Sequence, residues 1–442
     1  MNSIPTFVIN LKNRIDRKEH ILNEFSGRNE FNVTIVEPEK HAITRVSLWK
    51  TIKQITENMM ISKVDFFIIC EDDHRFTENY QKKLLLECIE QADKMGADIL
   101  SGGVSGLQQF VRVSPDIFWM GYFSGLQFTV IYRRFFKTIT ASNFEDSDIA
   151  DQKISLLTEN KFVIYPFISI QKEFGYSDVT PLNNNTGRVD AFFEQACDTI
   201  KFVNDVSIFY KQQKEIIEPI IDDVDYENFY IPTYIINLPE RTDRLAHIKK
   251  QFEEKNEFAI NIIEAIKHEK GNLGLWLTIR KIVEQAILNE DDIIIICEDD
   301  HEFTDHYTKH SFIKDVIEAH TLGAGILLGG IGHFFSAALI TESKFWIGGF
   351  YCTQFTVIYK SLFQRILDTP FDDKVTADGI FSQITSNKLV TFPFISIQKY
   401  LGYSDINIAN NNAENLNKRF RSTSLHLEKM KNITKLYSNS HL

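Results

Sequence analysis

The chain has no apolar run long enough to cross a bilayer. Its longest, such as Ile293 to Cys297, have the length of a strand, whereas a membrane helix needs about 20 apolar residues. The amino terminus, Met1-Asn2-Ser3-Ile4-Pro5, shows no basic region followed by an apolar stretch. No signal peptide is therefore expected, and the sequence reads as a cytoplasmic protein. No basic or amphipathic anchor stands out, so any membrane contact would be peripheral. Cysteine is sparse. The five, at 70, 88, 197, 297 and 352, form no CxxC pair, which argues against a disulfide framework or a zinc site. Basic charge is also in deficit: 48 Lys and Arg against 60 Asp and Glu leave a net charge of −12. A sequence-independent nucleic-acid binder needs a basic face to displace counterions from phosphates, so that class is disfavoured. Anionic small ligands stay open, because local arginines can oppose the global sign.

What the chain does have is a second copy of itself. Ile9-Asn10-Leu11 returns as Ile236-Asn237-Leu238, and Cys70-Glu71-Asp72-Asp73-His74 returns as Cys297-Glu298-Asp299-Asp300-His301. Gln127 to Tyr132 returns at Gln354 to Tyr359, and Pro166 to Lys172 returns at Pro393 to Lys399. Each later block lies 227 residues after the earlier one (236 against 9, 297 against 70), with no net insertion. Solenoid repeats run to roughly 50 residues at most. A period this long is a domain, and either half can bury its own core. The reading is one domain over 1–200, a connector over 201–230, and a second domain over 231–442 that ends in a polar helical tail packed on the second copy.

Each copy alternates strand and helix signals. Thr6 to Leu11 reads as a buried strand, followed by a helix over Lys12–Asn23 for which Asp16, and Asp243 in the second copy, are candidate N-caps. Val33–Val36 and Ile260–Ile263 read as second strands, and Leu48–Asn58 and Leu275–Leu288 as helices. Phe66–Cys70 and Ile293–Cys297 are apolar on both faces, the pattern of a central strand covered by helices on each side. Gly96 and Gly323 suit left-handed caps where the next helix ends. The stretch Ile99-Leu100, matched by Ile326 to Leu328, reads as a fourth strand. Lys211–Glu218 reads as a short helix and Asp222 to Asp225 as an acidic loop. This alternation predicts an α/β fold, two tandem Rossmann-like domains each with a mainly parallel sheet, whose ligands gather at the carboxyl ends of the strands.

The residues with chemistry lie at those ends. Glu71-Asp72-Asp73 and Glu298-Asp299-Asp300 each follow the most apolar strand of their copy. Clustered carboxylates repel one another unless something positive sits between them, and a hard divalent cation does this well. The alternative is an acidic strand-to-helix turn; its recurrence in both copies favours the site. Asn10-Leu11-x-x-Arg14-x-Asp16-Arg17 recurs as Asn237-Leu238-x-x-Arg241-x-Asp243-Arg244. Two arginines just past the first strand can fork onto a diphosphate or a base edge, or be a solvated first helical turn. His74 and His301 follow the triplets, as ligands or as loop and capping residues. Trp119 and Trp346 could stack on a sugar or pack in the core. The turns Asn183–Asn185 and Asn410–Asn412 could touch sugar hydroxyls, with a plain turn as the simpler reading.

Together the INLxxRxDR opening, the EDD after a buried strand and the later Ser404-Asp405-Ile406 (Ser177-Asp178-Val179 in the first copy) resemble glycosyltransferase family 25. That family includes bacterial lipooligosaccharide and collagen galactosyltransferases. The resemblance spans most of each copy. It implies a GT-A fold, a UDP-sugar donor, inversion at the sugar carbon, and Mn²⁺ or Mg²⁺ held by Asp72, Asp73, Asp299 and Asp300. Asn10, Arg14, Arg17, Asn237, Arg241 and Arg244 would hold the donor, with Gly271 and Gly274 letting backbone approach it. Inverting transfer needs a carboxylate to take the acceptor's proton. Asp151 and Asp378 match the family's aspartate, with a helix-start role as the alternative and Asp178 and Asp405 in reserve. The first copy departs from the family, with Thr44-Arg45-Val46-Ser47 in place of Gly271-Asn272-Leu273-Gly274. The family's histidine a few residues later is missing from both copies. Arg75 stands opposite Glu302 and Gly106 opposite His333, so the two sites are expected to treat substrate differently.

The expected function is therefore a tandem hexosyltransferase moving galactose or glucose from a UDP-sugar to a glycan, lipid-linked or peptide acceptor, with no nucleic-acid partner. A narrower form has only the second copy catalytic and the first binding acceptor. A rival of another class is a non-catalytic carbohydrate- or protein-binding scaffold.

Overall fold

The computed structural model describes residues 3–39, 41–176, 185–221, 226, 228–370, 375–402 and 413–438. Two compact units divide the chain, one comprising Met1–Asn204 with Asn432–Leu442, the other Asp205–Lys431.

In the first unit the eight-stranded sheet runs in the order Phe31–Val36, Ile4–Ile9, Phe66–Glu71, Phe128–Tyr132, Ile99–Ser101, Lys161–Ile164, Ile117–Ser124, Gly106–Ser114. The second unit repeats it strand for strand: Phe258–Glu264, Ile231–Asn237, Ile293–Glu298, Phe355–Tyr359, Ile326–Leu328, Lys388–Thr391, Lys344–Ile347, Ala337–Thr341. The fold is α/β with a mainly parallel sheet: two strands of each eight, Phe128–Tyr132 and Ile117–Ser124 in the first, run against the other six. The doubly apolar strands lie inside the sheet as their composition predicts. Ile68, Ile69 and Cys70 are buried, as are Ile295, Ile296 and Cys297. Register is the same in both sheets, with Ile9 beside Glu71 and Ile236 beside Glu298. The next residues of each pair, Asn10 with Asp72 and Asn237 with Asp299, thus leave the sheet together at its carboxyl edge.

The helices follow the sequence signals, with the first shifted a few residues onward and the second extended at one end or both. Ile15–Phe25 and Thr242–Gln251 come first, Thr44–Ile61 and Gly271–Leu288 next, and Lys82–Lys94 and Lys309–Thr321 third. Gly96 and Gly323 take φ of +76° and +72° after the third helices, as a left-handed cap requires. The first helices differ from expectation. Arg14 and Arg241 stand at the N-cap and Asp16 and Asp243 fall inside the first turn, where carboxylates favour the helix dipole without capping an amide. The expected connector is largely one helix, Arg188–Ile221, because the predicted Lys211–Glu218 segment continues the preceding turns. Asp222 to Asp225 lie outside the described residues. The tail forms the helix Ala413–Ser438, whose residues from Asn432 onward belong to the first unit. No described helix is long and apolar enough to cross a membrane.

Candidate active site

At the carboxyl edge the same constellation is built twice. In the first unit Asn10 donates through Nδ2 to Asp72 Oδ2 at 2.9 Å. Arg17 donates to Asp72 Oδ1 at 2.9 Å and to Asp73 Oδ2 at 3.2 Å. In the second, Asn237 donates to Asp299 Oδ2 at 2.9 Å and Arg244 donates to Asp299 Oδ1 at 2.9 Å, with Asp300 Oδ2 3.5 Å away. Arg241 and Arg244 stand three positions apart, which puts them on one face of the helix start. Arg17 and Arg244 are thus brought into direct contact with the predicted acids. One guanidinium already spans each aspartate pair, a charge the motif reading assigned to a metal alone.

The arginine does not balance the cluster. Burial pushes Asp300 up to about 6, with Asp299 adding to it while Arg244 and Gln398 oppose. Glu298 is pushed up to about 8, first by burial and then by Asp300, with Asp299 and Asp378 contributing and the Thr353 hydroxyl opposing. Glu71 rises likewise from burial, with Asp73, Asp151 and Asp72 behind it. These shifts mean that four carboxylates per site feel one another from buried and partly buried positions at the sheet edge. Glu71 and Glu298 were counted in the triplets but given no role of their own; their place on the last sheet residue, facing the acids, was the available signal.

The second-unit cluster opens into a cleft of about 1370 Å³. Asn237, Arg241, Arg244 and Gly271 line it, and so do Glu298, Asp299, Asp300 and Asp378. Single small-ligand pockets run to roughly 1,000 Å³, so this cleft exceeds the room one such ligand needs. Gly274 is turned elsewhere. A Cβ there would sit 2.4 Å from the Ile266 carbonyl oxygen, so this glycine serves contact between the helix and the preceding loop rather than a ligand. In the first unit Ser47 fills the same place and its hydroxyl donates to the Glu39 carbonyl.

Asp151 and Asp378 sit in the first turns of the helices Ala150–Leu157 and Ala377–Ile384 and are held by backbone amides. Gly125 N–H donates to Asp151 Oδ2 at 2.8 Å and Cys352 N–H donates to Asp378 Oδ2 at 3.0 Å. The other oxygens accept from Gln152 and Gly379. The N-cap positions fall to Ile149 and Thr376, so neither aspartate is the cap, and Asp378 lines the cleft while securing a turn. That turn is left-handed in both units, with φ of +104° at Gly125 and +83° at Cys352. Cys352→Gly is expected to leave stability within about 1 kcal/mol, while the β-branched Cys352→Val costs about 2–3 kcal/mol in urea unfolding. Equal effects of the two substitutions would show that the turn is not strained.

Other candidates fall away from the site. His74 and His301 are fully buried, with Nδ1 bonded to Ser169 and Ser396 hydroxyls at 2.8 and 2.7 Å and the rings lying on Phe128 and Phe355. Burial drives His301 down to about 3, so it is a neutral core residue, not the loop or ligand histidine considered above. Trp119 and Trp346 are 1 % exposed and donate to the Glu159 and Ser386 carbonyls, which settles them in the core. Asp178, Asp405, Asn183, Asn184 and Asn410 to Asn412 lie outside the described residues, while Asn185 only precedes the helix start at Arg188.

The acidic cluster offers a divalent cation only part of a donor set. Both oxygens of Asp299 are taken, by Arg244 and Asn237, as both oxygens of Asp72 are by Arg17 and Asn10. Asp300 Oδ1 and Asp73 Oδ1, by contrast, are buried with no hydrogen-bond partner. Such an orphan oxygen amid excess negative charge fits a hard cation. Among the described residues no three His, Cys, Asp or Glu side chains converge on one cation position, so water and ligand oxygens would complete its shell.

No family model matches the chain, and no curated protein sequence matches it. Solved structures do. UDP-glucose pyrophosphorylase complexed with UDP-glucose aligns at a TM-score of 0.27 and 8% identity, over 43% of this chain and 81% of that one. HddC from Yersinia pseudotuberculosis aligns at 0.23 and 11% identity, over 45% and 99%. The glycosyltransferase GlyE of Streptococcus pneumoniae aligns at 0.28 and 8% identity, over 72% and 99%. Likeness this distant carries no argument about function, which has to come from the site.

Proposed function

We propose that this chain is a hexosyltransferase of the family 25 kind, taking its sugar from a UDP-sugar in the second-unit cleft. The observation that carries this reading is the convergence of Arg241, Arg244 and a four-carboxylate cluster at the carboxyl edge of the sheet, inside a cleft larger than one small ligand needs. In this reading Arg241 and Arg244 face the donor diphosphate, and bidentate guanidinium contacts hold its oxygens. Asp299, itself held by Asn237, fixes Arg244 in place. Gly271, opening the helix Gly271–Leu288, leaves that end free of side chain where phosphate approaches. Mn²⁺ or Mg²⁺, bound through Asp300 and in the first unit Asp73, would neutralise charge on the leaving diphosphate.

Inversion calls for one carboxylate that accepts the acceptor hydroxyl's proton. Asp378 was the family-derived choice, yet both of its oxygens already accept backbone amides, which leaves less room for an acceptor hydroxyl. Glu298 is a second candidate: it lines the same cleft directly before the aspartate pair, and burial raises the proton affinity of its carboxyl.

The test is a panel of UDP-sugars, assayed for hydrolysis and for transfer with Mn²⁺, with Mg²⁺ and with EDTA. Metal-dependent turnover is expected. Absence of both turnover and a UDP-induced thermal shift would leave the non-catalytic scaffold as the correct account.

The narrower form, in which the second unit alone transfers sugar, rests on Thr44 opening the first unit's helix where Gly271 opens the second unit's. Replacing Asp72 and Asp73 with Asn decides between the forms: loss of one sugar addition with the other retained would make both units enzymes.

A further inference from the structure

We infer that the mouth of the second-unit cleft carries an aromatic platform, His333 with Phe335 and Tyr351, that binds the acceptor as a pyranose ring. This inference rests on the transferase reading of the same cleft. The platform is made by a two-stranded ribbon, His333–Phe334 against Phe350–Tyr351, whose register sets His333 directly across from Tyr351. The two rings stack at 5.7 Å and 23°. Phe335 closes the group edge-on, 5.3 Å from His333 and 5.6 Å from Tyr351.

Three features make it a ligand surface rather than a core. Phe335 is 59% exposed and Tyr351 45%, in a unit whose other large aromatics are mostly buried. His333 and Tyr351 line the same cleft as Arg244 and Asp300, so the platform continues the donor site. The neighbours are also mixed in character, with the Arg419 side chain lining the cleft beside the rings. A flat aromatic face flanked by polar groups suits a sugar, whose axial C–H face is apolar and whose rim carries hydroxyls.

The duplication supplies the control. Positions 227 residues earlier are Gly106, Gln108 and Ser124, with Gly106 paired to Ser124 in the equivalent ladder. The first unit has the same ribbon without its rings. The platform is therefore not needed to build the fold, and the two units are set to take different acceptors, a glycan ring in the second and something not held by stacking in the first.

The experiment compares the wild-type full-length chain with Phe335→Gln/Tyr351→Ser, which copies the first unit, and with His333→Gly. Saturation-transfer NMR with lactose, cellobiose and diacetylchitobiose reads glycan contact without turnover, and UDP binding is followed in parallel by calorimetry. Saturation of sugar C–H protons is expected in wild type and a loss of at least fivefold in both variants, with UDP affinity unchanged. In transfer assays the acceptor KM should rise about tenfold while the donor KM stays put. Sugar signals that persist in both variants, or that never appear in wild type, overturn the platform. Loss of UDP binding in wild type overturns the transferase reading instead, so the two failures are distinct.

Discussion

Asp300→Asn is expected to lower transfer by about 10²–10³-fold while making the metal-free protein more stable. The two effects share one cause. Asp300 is buried with an orphan oxygen beside Asp299, and its carboxyl is pushed up to about 6 mainly by loss of water and by that neighbour. The folded chain thus binds the proton more tightly than the unfolded chain, whose carboxyl keeps the ordinary value near 3.8. Its charge costs nothing below about pH 4 and costs most above about pH 6, so the native state loses stability as pH rises through that window. A neutral isostere removes the penalty, and at pH 7 in EDTA the gain should be about 1–2 kcal/mol. A residue held against stability is the expected mark of a functional carboxylate. Urea unfolding in EDTA at pH 4 and pH 7, beside a transfer assay, checks both halves. A variant that is less stable at pH 7 than wild type, or as active, contradicts the assignment.

Lys344→Ile is expected to destabilise the second unit by about 3–5 kcal/mol, the cost of leaving a buried charge alone. Lys344 is fully buried on the strand Lys344–Ile347, with Nζ 2.5 Å from Asp315 Oδ1 and in contact with Glu318. The Ser343 hydroxyl also donates to Asp315, at 2.7 Å. In the first unit the same three positions are Ile117, Cys88 and Gln91, so an apolar solution to the same packing problem exists 227 residues away. The triple replacement Lys344→Ile/Asp315→Cys/Glu318→Gln should therefore recover most of the loss. Chemical denaturation of the single and triple variants tests this, and a triple variant as unstable as the single one would mean that the surrounding cores have diverged beyond exchange.

The repeat made much of this molecule readable in advance. Strands such as Phe66–Glu71 and Ile293–Glu298 declare themselves because they are apolar on both faces, and Gly96 and Gly323 mark helix ends because few other residues take positive φ. The reversed strands Phe128–Tyr132 and Ile117–Ser124 were hidden, since a strand buried on both faces has the same composition whichever way it runs. At the site, residue type showed that Asn237, Arg244, Asp299 and Asp300 belonged together. It did not show that Arg244 would occupy the space between the aspartates, because that depends on how far the first helix turn reaches across the edge. Glu298 stayed unassigned because carboxylates read alike until burial separates their pKa values. The aromatics that sequence offered, Trp119 and Trp346, proved to be core, whereas His333, Phe335 and Tyr351 are brought together only by pairing of the ribbon.

On the proposed reading, the second-unit cleft grips the diphosphate of a sugar nucleotide. A crystal of the full-length chain soaked with UDP and Mn²⁺ tests it most directly. The prediction is diphosphate density against Arg241 and Arg244, with an ion on the Asp300 side of the pair. UDP bound away from these arginines, or no UDP at saturating concentration, would contradict it.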